Sequence, residues 1–447
     1  MHIKNIKLTN YRNYESLNLD LGKKTTVLIG KNGAGKTNLI SALKQSLSFI
    51  FSKNSKISQY SFVAESGQKV QSFETTDSMR AMNPDGTQNQ NGTWPIRIET
   101  TMDIGNDKPL HVVFERKNLS EGMKETYSTE SIRFWERYKD LNNLPVLAFY
   151  SDAFPHEKVR IGKKIQDKLD SQFGISQSDA YYNWDDPRDC SNVWQQYFAM
   201  QWKNYKYGNV KNKEESYLSA VRDCLIKFAQ PLECAEENKD FILNDITVTA
   251  RGSKEIVVLR FKNGMEADFE SLPAGYRRAF AMVFDLANRA FLLNGNCDPQ
   301  GIAFIDEIDL HLHPSLAQEI LERLQRTFVH LQLIASTHSP VVLSNYKQDE
   351  DNVLYQISTS NGEGLKPVYK KLENSYGVDY NSLLENQMEV PVRNSLLQEL
   401  INAYNYWKNA GEGARMDRAM TSIIELVGEN SIVVKDLKNS ELHGIYR

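Results

Sequence analysis

Residues Thr25–Leu43 read TTVLIGKNGAGKTNLISAL. The apolar run Val27-Leu28-Ile29 has the character of a short buried strand, and Leu39, Ile40 and Leu43 carry helical spacing. Between them, Gly30-Lys31-Asn32-Gly33-Ala34-Gly35-Lys36-Thr37 matches G-x-x-x-x-G-K-[ST] at every fixed position, in the strand-to-helix setting that gives the motif its meaning. The glycines let backbone N–H groups turn inward around a polyphosphate, and the helix starting near Lys36 aims its positive end at the same anion. The Lys36 ammonium reaches for the outer phosphates and the Thr37 hydroxyl for Mg²⁺. Asn32, Gly33, Ala34, Gly35, Lys36, Thr37 and Asn38 are therefore the candidate nucleotide-binding residues.

Working outward, residues 1–29 alternate apolar and polar positions (Ile3, Ile6, Leu8; Leu17, Leu19, Leu21), which predicts two or three strands. The turn Tyr11-Arg12-Asn13-Tyr14 either packs on a nucleotide base, with Arg12 touching phosphate, or is a solvated hairpin tip. Residues 52–93, rich in Ser, Gln, Asn and Thr, predict a long surface excursion. Strand patterns resume at Ile96–Thr100, Leu110–Phe114 and Pro145–Tyr150.

Gly301-Ile302-Ala303-Phe304-Ile305-Asp306-Glu307 describes a buried parallel strand whose last residues emerge at its carboxyl end, where doubly wound sheets place their ligands. Asp306, like Thr37, is a candidate to hold Mg²⁺, directly or through water, and Glu307 is the candidate base that polarises the attacking water. A second core strand, Leu331–Ser336, runs into Thr337-His338-Ser339-Pro340, which makes His338 a candidate γ-phosphate sensor. His311 and His313 lie two apart on the loop after Glu307, with no third ligand in view. Residues 255–261 read as a strand and Asn263-Gly264 as a turn. Leu272–Arg278 then enters an apolar helix, and Gly275 near its start suits close approach to an anion.

Residues 154–245 change character: charge and aromatics rise and helical spacing dominates. Lys158, Arg160, Lys163, Lys164 and Lys168 form one basic cluster. Trp202, Lys203, Tyr205, Lys206, Tyr207, Lys211 and Lys213 interleave aromatic and basic groups. Such mixtures grip phosphate and stack bases in nucleic-acid sites, and they equally make solvated helix faces with half-buried aromatics. Two amphipathic patterns close the chain: Leu396, Leu397, Leu400, Ile401 and Tyr404, then Met420, Ile423, Ile424 and Val427.

Composition sets outer bounds. With 447 residues, 40% hydrophobic and 25% charged, the chain is long enough for a sizeable core in two or three domains. The formal net charge of −4 argues against bulk-charge coating of nucleic acid while allowing a local basic site. The four cysteines (190, 224, 234, 297) are scattered, which predicts free thiols in a reducing cytoplasm. Neither a membrane-length apolar run nor a signal-peptide core is present, so a cytoplasmic location without membrane contact is expected.

The order of motifs resembles the ABC-type ATPases of the RecF, SMC and OLD group: the opening I-x-L-x-N-Y-R-N-Y-E, the P-loop, a diverged signature, Asp306-Glu307, and Thr337-His338-Ser339-Pro340. DEIDLHLHP with ASTHSPVVLS, and the tail Tyr376–Glu385, are similar to the ATPases of Septu-type and retron-associated antiphage systems. The resemblance implies an α/β fold: an ABC-type P-loop ATPase head with a mixed sheet and an antiparallel β subdomain, a helical insertion and a helical C-terminal module. The expected division is 1–153 and 246–365 as the two halves of the head, 154–245 as the insertion, and 366–447 as the module. It further implies ATP and Mg²⁺ as ligands, Glu307 and His338 as catalytic residues, and a homodimer or higher homo-oligomer in which each head's signature completes the other's site. No nuclease pattern follows the ATPase motifs, so a partner nuclease or effector is expected. A RecF-like DNA-binding clamp and a weakly hydrolysing nucleotide sensor are the alternatives. Two positions depart from the family: Leu272-Pro273-Ala274-Gly275-Tyr276 stands where L-S-G-G-Q is usual, and His313 where an aspartate is usual.

Overall fold

Five short apolar runs with few polar interruptions can only be strands covered on both faces, and they assemble into one parallel sheet. The computed structural model describes residues 1–52, 60–80, 92–105, 108–138, 142–155, 160–171, 174–208, 212–232, 241–252, 254–359, 367–373, 375–388 and 393–438. Lys158, Lys211, Cys234 and most of the polar stretch 82–94 lie outside them.

With strands numbered in chain order, the central sheet contains β3 (Thr25–Ile29), β7 (Val146–Tyr150), β11 (Gly301–Ile305), β12 (Leu331–Thr337), β13 (Asn352–Thr359) and β14 (Pro367–Leu372). Its order is β14-β13-β3-β12-β11-β7. All pairs are parallel except β13–β14, which is antiparallel and forms an exposed, lysine-bearing edge. β3, β7, β11 and β12 are buried along their whole length. Register decides where the chemistry sits. Ile29 pairs with Thr337, and Ile305 pairs with Ala335 on one side and Tyr150 on the other. The carboxyl ends of four strands therefore finish level with one another.

A five-stranded antiparallel sheet, β2-β1-β4-β5-β6, packs beside it: β1 (His2–Tyr11), β2 (Tyr14–Asp20), β4 (Ile96–Asp103), β5 (Leu110–Arg116) and β6 (Lys124–Tyr127). β4 alternates buried and half-buried residues along its length. A smaller antiparallel sheet joins β8 (Leu243–Arg251), β9 (Lys254–Phe261) and β10 (Glu266–Asp268). The turn at Asn263-Gly264 falls between β9 and β10, with Gly264 at φ 85°. The described residues of the stretch 52–93 are less of a surface excursion than its composition suggests. Phe62, Val63 and Phe73 are buried, with Phe62 edge-on to Tyr181 and Phe73 against Tyr11.

The helices Cys190–Tyr207 and Asn212–Ala229 belong to the same compact unit, Met1–Val378, as the sheets. Asn212–Ala229 meets the apolar helix Ala274–Asn294 through Tyr217, which donates to Asn288, and Cys190–Tyr207 packs on it through a buried polar network. Asp285 accepts from Tyr150 Oη (2.6 Å), Arg289 Nε (2.8 Å) and Trp194 Nε1, while Arg289 donates onward to the carbonyls of Ala180 (2.7 Å) and Tyr182 (3.0 Å). Both members of the ion pair are fully buried.

The second unit, Asp379–Arg447, holds the helices Ser395–Asn409, Gly413–Val427 and Ile432–Lys438 around Ile401, Tyr404, Ala419, Ile423, Val434 and Leu437. Leu396, part of the predicted apolar face, is 52% exposed; it sits in the first turn of its helix, outside this small core. Among the described residues no helix is long and apolar enough to cross a membrane.

Candidate functional site at the strand ends

After β3 the backbone turns through three glycines at positive φ: Gly30 (148°), Gly33 (79°) and Gly35 (117°). A Cβ on Gly30 would lie 1.9 Å from the Ile357 carbonyl of β13, so the loop leaves the sheet where no side chain fits. A Cβ on Gly33 would meet nothing within 4 Å. Asn32 and Gly33 are exposed at the loop tip, whereas Ala34, Gly35 and Lys36 are buried. Lys36 folds back over the loop, donating to the carbonyls of Gly30 (2.7 Å) and Lys31 (3.2 Å). Burial pulls its pKa down to about 8, against the opposing pull of Asp306, Glu307 and Asp309. A buried ammonium beside an exposed, glycine-rich loop tip suits a polyanion, which would return the charge balance that burial removed.

The β1–β2 turn seals the other flank. Asn13 Nδ2 donates to the Ala34 carbonyl (3.3 Å) and Tyr14 Oη to the Gly35 carbonyl (3.1 Å). Asn38 bridges the turn, donating to Asn13 Oδ1 (2.9 Å) and accepting from Arg12 (3.1 Å). Arg12 is also paired with buried Asp77 at 2.9 Å. The turn is therefore packed on the P-loop helix, and its arginine is held beside the first helical turn.

Across from the loop, Thr37 Oγ1 donates to Asp306 Oδ2 at 2.8 Å. The other Asp306 oxygen accepts from the Ser336 hydroxyl, which in turn accepts the Glu307 amide at 2.8 Å. The Ile308 amide donates to the Ser336 carbonyl (2.9 Å). Thr337 donates to Asp309 and accepts the Ser339 amide (3.0 Å). Two hydroxyls at the end of β12 thus staple the Asp306–Asp309 loop to the segment carrying His338. Burial, then the Lys36 ammonium, hold the His338 pKa below its ordinary value despite three nearby carboxylates, which favours the neutral imidazole. The hard oxygens of Thr37 and Asp306, 2.8 Å apart, form a donor set that fits Mg²⁺.

Gly275 has a different environment from the one its motif suggests. A Cβ there would come within 2.4 Å of the His311 carbonyl, so this glycine lets its helix pack directly on the loop that follows Glu307. Tyr276 stacks on Phe241 at 3.7 Å. Arg278, 1% exposed, donates to the carbonyls of Ser151 (2.9 Å), Asp152 (3.3 Å), Phe154 (2.8 Å), Asp306 (2.8 Å) and Glu307 (3.3 Å). Ser336, Thr337, Asp309 and Arg278 were not singled out from sequence. The clustered hydroxyls before His338 were the one available signal.

The remaining candidates have local roles. His313 caps the helix Pro314–Thr327, its Nδ1 2.7 Å from Ser315 Oγ. Lys206 lies over Trp202 at 4.5 Å, Lys203 pairs with Glu255 at 4.0 Å, and Lys168 pairs with Asp179. These side chains satisfy one another within the chain, as a solvated face would.

A family model described as an AAA ATPase domain matches residues 1–343. The chain is 24% identical over 400 residues to the Retron Vc95 probable ATPase of Vibrio cholerae serotype O1 biovar El Tor, which covers 80% of this chain and 74% of that protein. It is 26% identical over 469 aligned positions to the Retron Ec83 probable ATPase of Escherichia coli, covering 93% and 82% respectively. A shorter match, 31% over 149 residues, relates 33% of the chain to 20% of the Septu protein PtuA of Bacillus mycoides strain KBAB4.

Proposed function

The chain belongs to the AAA ATPase domain family, and from that membership we propose that it binds and hydrolyses ATP with Mg²⁺ as the regulatory subunit of an antiphage defence complex, controlling a partner nuclease or effector. The observation that carries the ATPase reading is the 2.8 Å contact between Thr37 and Asp306, with Glu307 held next to it by Ser336. Lys36 and the loop amides bind the outer phosphates, and Thr37 and Asp306 hold the metal. Bound there, Mg²⁺ neutralises charge developing on the phosphates. Glu307 accepts the proton of the attacking water, and the neutral His338 imidazole hydrogen-bonds a terminal phosphate oxygen. The defence role is supported by the retron and Septu relatives. In keeping with that role, the heads associate with one another and the complex includes an effector.

Glu307→Gln is expected to lower kcat by about 10²–10⁴-fold while nucleotide binding persists, as for loss of a general base. Phosphate release at saturating ATP, with equilibrium binding of the same variant, makes the test. Equal turnover in wild type and variant would exclude Glu307 as the base. A slow nucleotide sensor is a second reading, favoured by Pro273 in place of the signature serine and Ala274 in place of a signature glycine; wild-type turnover too slow to follow over many cycles would select it.

A further inference from the structure

The loop Asp306–Leu312 contains two non-glycine residues in the left-handed region, Glu307 at φ 51° and His311 at φ 64°. A side-chain-bearing residue occupies that region only where its surroundings insist on it. Both come under the start of the helix Ala274–Asn294. Gly275 packs on the His311 carbonyl, and one turn further on Arg278 holds the carbonyls of Asp306 and Glu307. The same guanidinium reaches the carbonyls of Ser151, Asp152 and Phe154 just beyond β7, the strand beside β11. Arg278 is almost wholly buried and makes no hydrogen bond to a carboxylate among the described residues. A charge so placed is costly to desolvate, and its return here is a set of five backbone bonds at the catalytic strand ends.

We propose that Arg278 is a positioning residue for hydrolysis, holding the backbone of Glu307 so that its carboxylate faces the nucleotide, and tying that placement to the helix that carries the signature-like segment. This rests on the reading of Glu307 as the base. On this view Arg278 acts on Glu307 from one side while the Ser336 hydroxyl holds the Glu307 amide from the other. Anything that shifts the helix start, including contact of the signature-like segment with a second head, changes turnover without touching the phosphate cradle.

The experiment compares Arg278→Met and Arg278→Lys in the wild-type and Glu307→Gln backgrounds, reading kcat, KM and ATP affinity with thermal melting as the fold control. Arg278→Met is expected to lower kcat at least about tenfold, since small misplacements of a reacting group are costly, with KM and affinity changed less than about threefold. Arg278→Lys should recover part of the loss. In the Glu307→Gln background, Arg278→Met should lower turnover no further, because the group it positions is already gone. Unchanged kcat, a loss of affinity matching the loss of rate, or an equal further drop in the Glu307→Gln background would each overturn the assignment. Should Arg278→Met not fold, Arg278→Lys and Gly275→Ala are judged by the same criteria. A wild-type protein that never turns over ATP would overturn the ATPase reading itself; an active wild type with unaffected variants overturns only the role of Arg278.

Discussion

The helices Lys36–Leu47 and Ala274–Asn294 each begin at a glycine-bearing segment, and the two segments meet different surroundings. At the start of the helix Lys36–Leu47, Gly33 at the loop tip has open space around its missing Cβ, while Gly35, at φ 117°, packs against the Asn13 and Tyr14 side chains. At the start of Ala274–Asn294, the space beside Gly275 is filled by the His311 backbone of the same chain. One helix start is shaped for an external anion. The other is shaped for an internal contact with the loop Asp306–Leu312. A glycine ahead of an apolar helix is therefore ambiguous evidence for anion binding until its neighbours are known.

The comparison can be broken at several points, beginning with the largest expected effect. Asp285→Ala removes the partner of fully buried Arg289 and strands Trp194 and Tyr150, so it should cost about 3–5 kcal/mol of stability. Urea unfolding reads this, with ATP affinity of the folded fraction unchanged. An affinity loss without destabilisation would mean that the 274–294 helix serves the ligand rather than the fold. Lys36→Ala should show the reverse pattern. Loss of charge-assisted phosphate contacts worth about 1.5–3 kcal/mol lowers ATP affinity by roughly 10–100-fold, while the unfolding midpoint barely moves. Unchanged affinity in titration calorimetry would overturn the cradle assignment. Gly33→Ala probes the smallest difference. It forces a Cβ into φ 79° at a cost of about 1–2 kcal/mol but meets no atom, so binding should weaken only modestly. Complete loss of binding would mean that this open space is needed by the ligand itself.

The two helix starts also differ in how well they could be read in advance. The P-loop, the strands ending at Ile29, Ile305 and Thr337, and the placement of Asp306, Glu307 and His338 after them were legible, because contiguous apolar runs and a contiguous motif state their own geometry. The start of β8 was not, because its pairing with β9 shifts register between Leu243 and Asp245, so the alternation of Ile246 and Val248 does not extend back to Leu243. The integration of the helices after residue 154 into the ATPase unit was also hidden. It depends on Trp194, Asp285 and Arg289 meeting across long sequence separations, and none of them is unusual where it stands.

By itself, then, the sequence determined the glycine-rich motif and the strand ends that answer it, since the motif and the apolar runs are each contiguous in the chain. Only the tertiary structure decided that Thr37 meets Asp306 across 269 residues, and that Ser336 and Arg278 hold the loop between them. The physical reason lies in the acceptors. Arg278 binds five main-chain carbonyls, and a carbonyl is the same group whatever residue carries it, so no pattern of side chains could announce where that arginine would land.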